Sequence, residues 1–297
     1  MFAIIIINYN SYEKTIDCIK SIRTTCNVPY RIYLIDNASA NESASVLEKE
    51  YKDADDVRLI LSKENLGYAR GNNLCIMEAV KDGCKYALIS NNDIIYEQGA
   101  VDALYREISG DKYLIVGPKI VRPDGSTQRS VKYGRPKFLK YIIKETYVYS
   151  LFKKFVKREE MPAEKQDVYW ICGCTFAANL EQFEKVDYFD DRTFLYFEEY
   201  ILAEKARKAG MKMEFIPEVQ VLHFHGYSMG GSTNIVTRLA NLRSEMLFLH
   251  DYMHWNKLKL KTIKSLRMME VRFDLRKDKD KSDKWKKYKA ECAKISL

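Results

Sequence analysis

Three absences limit what this chain can be. No apolar run approaches the roughly 18 residues that a membrane-crossing helix needs, and Met1 to Ile7 is short with no basic leader. The protein is therefore expected to be neither secreted nor membrane-spanning, but cytoplasmic. A disulfide framework is also missing. The seven cysteines (Cys18, Cys26, Cys75, Cys84, Cys172, Cys174 and Cys292) are odd in number and irregularly spaced, so reduced thiols are expected. Cys172 and Cys174 have one residue between them, where a zinc knuckle needs two to four, which makes a zinc site a poor fit. Finally, no G-x-G-x-x-G or G-x-x-x-x-G-K-[ST] loop follows any strand-like run. That argues against a dinucleotide dehydrogenase and a P-loop enzyme, and a bound diphosphate would need another source of positive charge.

What is present is a 297-residue chain, 46% hydrophobic, with a net charge of +8. That is enough for one large domain with appended segments. The charge is uneven. Asn256 to Leu297 holds 15 Lys and Arg against 6 Asp and Glu, so the preceding residues are nearly neutral. A second basic stretch, Val131 to Arg158, has nine Lys and Arg against Glu145 alone, interleaved with Tyr133, Phe138, Tyr141, Tyr147, Tyr149, Phe152 and Phe155. Either stretch suits an anionic membrane surface, a lipid-linked diphosphate or a nucleic acid. A solvated helix face explains each equally well.

Short β-branched or aromatic runs at Ala3 to Asn8, Arg31 to Asp36, Val57 to Ser62, Tyr86 to Asn91 and Leu114 to Pro118 read as strands. Between them, Tyr12 to Thr25, Glu42 to Tyr51 and Ala69 to Asp82 have helical spacing. The alternation predicts an α/β fold with a doubly wound, mostly parallel sheet, whose ligands bind beyond the carboxyl ends of its strands. Those ends carry Asn8-Tyr9-Asn10, Asp36-Asn37-Ala38-Ser39, Asn65-Leu66-Gly67 and Asn91-Asn92-Asp93. Each cluster alone reads as an ordinary turn. Together they make a polar crevice suited to a base, a ribose and a metal-bound phosphate.

The segments IIIINYNS, LIDNAS, NLGYARGNN and ISNND, then WICGCTFAANLEQFEKVDYFDDRTFLYFEEYILAEKARKAG and VLHFHGYS, resemble in order and spacing glycosyltransferase family 2, of GT-A fold. The likeness is nearest to its rhamnosyltransferase-like members and covers about Phe2 to Gly231. It implies an inverting, metal-assisted transfer of a sugar from a nucleotide-diphosphate donor, deoxythymidine diphosphate-rhamnose or a uridine diphosphate-hexose. The acceptor would be a glycan hydroxyl, lipid-linked, in cell-surface or capsule polysaccharide synthesis. The divalent cation would be Mg2+ or Mn2+.

By the same resemblance, Asp36 bonds the nucleobase and Asn8, Tyr9 and Asn10 line its pocket, with Asn65, Gly67 and Arg70 on the donor side. Asn92 and Asp93 occupy the D-x-D-like element, of which only the last acid is present. Asp93 becomes the metal ligand, with Asn92 toward the ribose or a metal-bound water. His223 corresponds to the residue that meets the diphosphate or its metal, with Ser228 after it; His225 has no assigned role. Glu199 stands where the family has its catalytic Asp, one methylene longer. Trp170, Gly173 and Glu198 fall on the acceptor side. Without the resemblance, Asp93 reads as a turn cap, and Glu198 and Glu199 as acids favouring a helix N-terminus.

The expected organisation is a nucleotide-sugar half (1–120), an acceptor and catalytic half (121–255, with the basic insert 131–158) and a basic helical tail (256–297). Thr233 to Trp255 reads as an amphipathic helix with Leu239, Leu242, Met246 and Leu249 inward. The tail is expected to be peripheral and dispensable for folding, holding the enzyme to the inner membrane face. Nucleic acid is not an expected partner, because the strand ends are neutral and acidic. A sugar nucleotidyltransferase, a nucleic-acid binder using the tail, and a glycosidase are the competing classes.

Overall fold

The computed structural model describes residues 1–149, 160–224 and 234–295. The chain forms two compact units. One contains residues 1–133, 161–194 and the described part of 198–228. The other contains the described parts of 134–160 and 229–297, with 195–197.

The first unit is built on a ten-stranded sheet. Its strands are β1 (Phe2–Asn8), β2 (Tyr30–Asp36), β3 (Val57–Leu61), β4 (Tyr86–Asn91), β5 (Ile94–Tyr96), β6 (Ile115–Val121) and β7 (Thr127–Gln128). A separate pair is formed by β8 (Val131–Lys132) and β10 (Trp170–Ile171), and β9 (Gln166–Val168), β11 (Thr175–Asn179) and β12 (Met213–His223) return to the large sheet. The order is β3-β2-β1-β4-β11-β6-β12-β5, with β7 against β6 and β9 against β12.

The β1 to β4 block is parallel because its strands are apolar on both faces. Ala3 and Ile5 join the core beneath the helix Gly67–Lys81, and Phe2, Ile4 and Ile6 join the core beneath the helix Tyr12–Thr25. This two-residue alternation is what a sheet covered on both sides requires. In register, Asn8 pairs with Asp36 and Ile7 with Asn91. The polar strand ends therefore finish level with one another. The strand expected to stop at Pro118 continues to Val121, and β12 shifts register between Ile216 and Gln220, opposite Pro118 and Lys119. The antiparallel β11 lies between β4 and β6, which brings residues 172–174 to the end of β4.

The second unit is helical: Phe138–Glu145, Ile235–Leu247 with a π turn at Phe248–Tyr252, Lys257–Asp274 and Lys281–Ala293. Leu239, Leu242, Met246 and Leu249 are buried, as their spacing predicts. The tail is helical but does not hang free. Leu260, Ile263, Val271, Leu275, Tyr288 and Cys292 are all buried. Fully buried Glu245 receives Arg267 Nε at 2.8 Å and Nη2 at 2.9 Å, and Tyr141 Oη at 2.5 Å. The tail therefore packs into the second unit through a stripe of six buried side chains, where its charge had suggested a peripheral helix. Its charge disguised this, because long basic side chains flank a narrow apolar stripe.

Candidate active site

The strand-end crevice of the first unit has a buried polar floor. The Asp36 carboxylate accepts from Asn8 Nδ2 at 2.7 Å, Ser39 Oγ at 2.6 Å and the Ser39 amide at 3.1 Å. Asn8 Oδ1 in turn accepts from Thr15 Oγ1 at 2.8 Å and Asn92 Nδ2 at 3.3 Å. Asn8 is fully buried, so it braces Asp36 and Asn92. Asn92 is also committed inward, its Nδ2 lying 2.8 Å from Thr15 Oγ1 and 2.9 Å from Ser11 Oγ. Tyr9 is half-buried and Asn10 exposed. Asn10 and Ala38 both take left-handed backbone, φ 55° and 57°. Left-handed non-glycine residues persist where surrounding structure over-determines them; here the Asn10 amide donates to Ser39 Oγ and Asn10 Oδ1 accepts from the Ala40 amide.

Beside this floor, Asn37 Oδ1 accepts from the Leu66 amide at 2.9 Å and Asn65 Oδ1 accepts from the Gly67 amide at 2.9 Å. Gly67 needs to be glycine: its φ is +75°, and a Cβ would overlap the Phe194 carbonyl oxygen. Arg70 lies outward and half-exposed, 3.5 Å from Glu64.

Asp93 follows β4, and its carbonyl accepts from the Phe224 amide at 2.9 Å, which aligns it with the end of β12. Asp93 Oδ1 is buried and accepts no hydrogen bond. It faces His223 Nε2 at 3.2 Å, and His223 Nδ1 lies 2.9 Å from Gln128 Oε1. A carboxylate oxygen and an imidazole nitrogen that meet in this way suit a divalent cation. Two protein ligands are few, and among the described residues no cluster of three or more His, Cys, Asp or Glu could hold a metal. Donor oxygens or water would complete the coordination, as is common for Mg2+. His225 and Ser228 lie outside the described residues.

Glu198 and Glu199 are the first residues of the helix Glu198–Lys208, and they follow Tyr196 and Phe197, both at φ 66°. Two successive left-handed residues cost about 1–2 kcal/mol each; they turn the chain sharply into the helix. Burial, then the neighbouring Glu199, hold the Glu198 carboxyl well above its usual range. Burial also raises Glu199, opposed by hydrogen bonds from its own amide and that of Gly173 and by the charge of Lys132. Of the pair, Glu199 is the one equipped to ionise. Gly173 leaves the carboxylate clear, since a Cβ there would stand 3.4 Å from Glu199 Oε1 and 3.6 Å from Tyr68 Oη.

Trp170 pairs with Lys132 across β10 and β8, and its ring lies 5.2 Å from that of Tyr200. Lys132 is buried against both rings and donates to Tyr200 Oη. The loop 172–174 joins the two halves of the site: Tyr68 Oη donates to the Gly173 carbonyl, and the Asn91 amide donates to the Cys174 carbonyl at 2.7 Å. The Cys174 thiol is held well up by the Cys172 thiol and by burial, with the charges of both Asp93 and Glu199 adding.

Sequence reasoning missed Gln128, Lys132, Tyr68 and Tyr200, and the brace Thr15; Ser39 was placed in the crevice but not as the partner of Asp36. Thr15 was detectable as a polar residue on the inward stripe of its helix with Cys18, Ile19 and Ile22. Lys132 was hidden in the basic insert, and Gln128 had no signal.

The profile of Glycosyl transferase family 2 matches residues 3–186. The chain is 26% identical over 215 residues to the N-acetylglucosaminyl-diphospho-decaprenol L-rhamnosyltransferase of Mycobacterium tuberculosis (strain CDC 1551 / Oshkosh), spanning 68% of this chain and 69% of that protein. In fold it is similar to GalNAc-T7 with UDP, GalNAc and Mn2+, with TM-score 0.61 and 16% identity, over 85% of this chain but only 49% of that one. It is also similar to S. aureus TarS 1-349 in complex with UDP-GlcNAc, with TM-score 0.56 and 13% identity, over 100% of this chain and 81% of that one.

Proposed function

The chain belongs to glycosyl transferase family 2, and from this we propose that it is an inverting transferase. It moves a sugar from a nucleotide-diphosphate donor, deoxythymidine diphosphate-rhamnose or a uridine diphosphate-hexose, to a hydroxyl of a lipid-linked glycan. The Mycobacterium relative, whose name gives a decaprenol-diphosphate acceptor, supports the lipid-linked choice. The single observation that carries the mechanism is the placement of Gly173. Its loop is bonded to the end of β4, next to Asp93, while its amide and open face meet Glu199.

In this reading Asp36 bonds the base, with Tyr9 and Asn10 around it and Asn8 and Asn92 bracing it from below. Asn65, Gly67 and Arg70 border the donor sugar and phosphates. Asp93 and His223 would hold Mg2+ or Mn2+, which neutralises charge on the departing diphosphate. Trp170, with its flat apolar face, and Glu198, whose carboxyl is held well above its usual range by burial, bound the acceptor. Glu199 accepts the hydroxyl proton as the new bond forms on the face opposite the diphosphate. A buried carboxylate with a raised pKa is a stronger base than an exposed one, and the charge of Lys132 opposes that rise. In this reading a lipid-linked acceptor would hold the enzyme at the inner membrane face.

The test is release of nucleoside diphosphate from a panel of nucleotide sugars, with and without a short-chain prenyl-diphosphate-linked sugar. Acceptor-dependent release from one donor supports the reading. A nucleotidyltransferase would instead form a nucleotide sugar from a sugar phosphate and a nucleoside triphosphate, and a glycosidase would need no nucleotide.

A further inference from the structure

In the second unit, the helices Lys257–Asp274 and Lys281–Ala293 leave a cleft of about 800 Å³ between themselves and Tyr147. Its lining is of two kinds. Met269, Phe273 and Trp285 are apolar, and Phe273 is 62% exposed. Arg272, Arg276 and Lys281 are cationic, and no acidic residue is among the lining.

These cations differ from others of the unit. Arg238 is neutralised by Asp274, Arg243 by Glu291 and Arg267 by Glu245. Among the described residues, no carboxylate stands within ion-pair distance of Arg272, Arg276 or Lys281. The two guanidinium groups lie over rings instead, Arg272 at 5.8 Å from the centroid of Trp285 and Arg276 at 4.6 Å from that of Phe273. A stacked guanidinium keeps its N–H edge open to an anion. Lys281 and Ser282 begin a 13-residue helix, whose positive end adds to the same field. Unpaired cations beside exposed apolar side chains fit a ligand with an anionic head and an apolar body.

We propose that this cleft binds the phosphate headgroup of an anionic phospholipid at a membrane surface. Arg272, Arg276 and Lys281 take the phosphate oxygens, and Met269, Phe273 and Trp285 take the first methylenes of the chains. The inference rests on the reading that the chain works at a membrane. It narrows that reading from diffuse charge to one site, since the buried face of the tail is core.

The experiment is sedimentation of the full chain with vesicles of phosphatidylglycerol and phosphatidylcholine, and with phosphatidylcholine alone. The cleft variant Arg272→Gln/Arg276→Gln is compared with Lys286→Gln/Lys289→Gln, an equal loss of charge outside the cleft. All four residues are exposed, so both variants should keep the native circular dichroism. The cleft variant should bind phosphatidylglycerol vesicles at least tenfold more weakly than the control variant, and tryptophan emission should shift to the blue on addition of these vesicles in the wild type and the control variant but not in the cleft variant. Equal weakening in the two variants would overturn the cleft while leaving surface charge as the anchor. Failure of the wild type to bind would overturn both the cleft and the membrane reading. Displacement from vesicles by micromolar farnesyl diphosphate would overturn the choice of occupant and assign the cleft to a carrier-lipid diphosphate.

Discussion

Gln128 Oε1 lies 2.9 Å from His223 Nδ1, and the other nitrogen of that ring faces Asp93 at 3.2 Å. With the amide oxygen toward the ring, Nδ1 would carry the proton and, once a cation is bound, Nε2 would offer it a lone pair beside Asp93. Gln128 thus sets the tautomer a cation needs. Partners of this kind typically change metal affinity by about 10- to 100-fold. Gln128→Leu should weaken Mn2+ binding by about that factor in calorimetric titration, without loss of folded structure. Unchanged affinity would remove Gln128 from the site.

Asp93→Asn keeps the shape of the side chain and removes its charge. Loss of the main protein carboxylate should lower kcat/KM at least about a hundredfold and abolish the response to added Mg2+ or Mn2+. Native turnover in a chelator, or a fully active mutant, would contradict a metal role.

Lys132 gives a prediction in pH. In the proposed mechanism Glu199 works as a base only when ionised, so activity should rise with pH through its raised pKa. Lys132 opposes the raising by charge, and its removal in Lys132→Met lets burial raise the carboxyl further. The acid limb of the kcat/KM profile should move to higher pH, with most of the lost activity recovered on the alkaline side. A limb that stays in place, or moves to lower pH, would mean that Lys132 does not act on the base.

Glu245 tests the second unit. Replacing it by Ala leaves Arg267 without its principal carboxylate and Tyr141 without its acceptor. Breaking a buried pair from one side costs about 3–5 kcal/mol, so urea unfolding should show a loss of that size. Truncation after Trp255 removes Arg267 and exposes Leu239 and Leu242, and should give insoluble protein. A stable truncated chain would return the tail to the peripheral role its charge suggests.

The parallel block was legible because each strand carries both of its apolar faces in sequence and three of the four end in Asn or Asp; topology alone then puts Asn8, Asp36 and Asp93 at one crevice, and the roles proposed for them come from the family resemblance. Glu199 was legible only through the family resemblance, since an acid at a helix start has an ordinary electrostatic use. Lys132 and Gln128 were not legible. Their partners, Trp170 with Tyr200 and His223, lie 38 to 95 residues away in sequence, joined by the return of β10 and β12. The tail misled because a stripe holding Leu260, Ile263 and Val271 is outnumbered by lysines that only border it.

The most direct test of the account is Glu199→Gln, with donor affinity and transfer rate measured on one preparation. An amide keeps the size of the side chain but cannot take the hydroxyl proton. The account predicts a donor Kd within about threefold of the native value and a transfer rate lower by about a hundred- to ten-thousandfold. Donor affinity falling in proportion to the rate, or transfer persisting near the native rate, would contradict it.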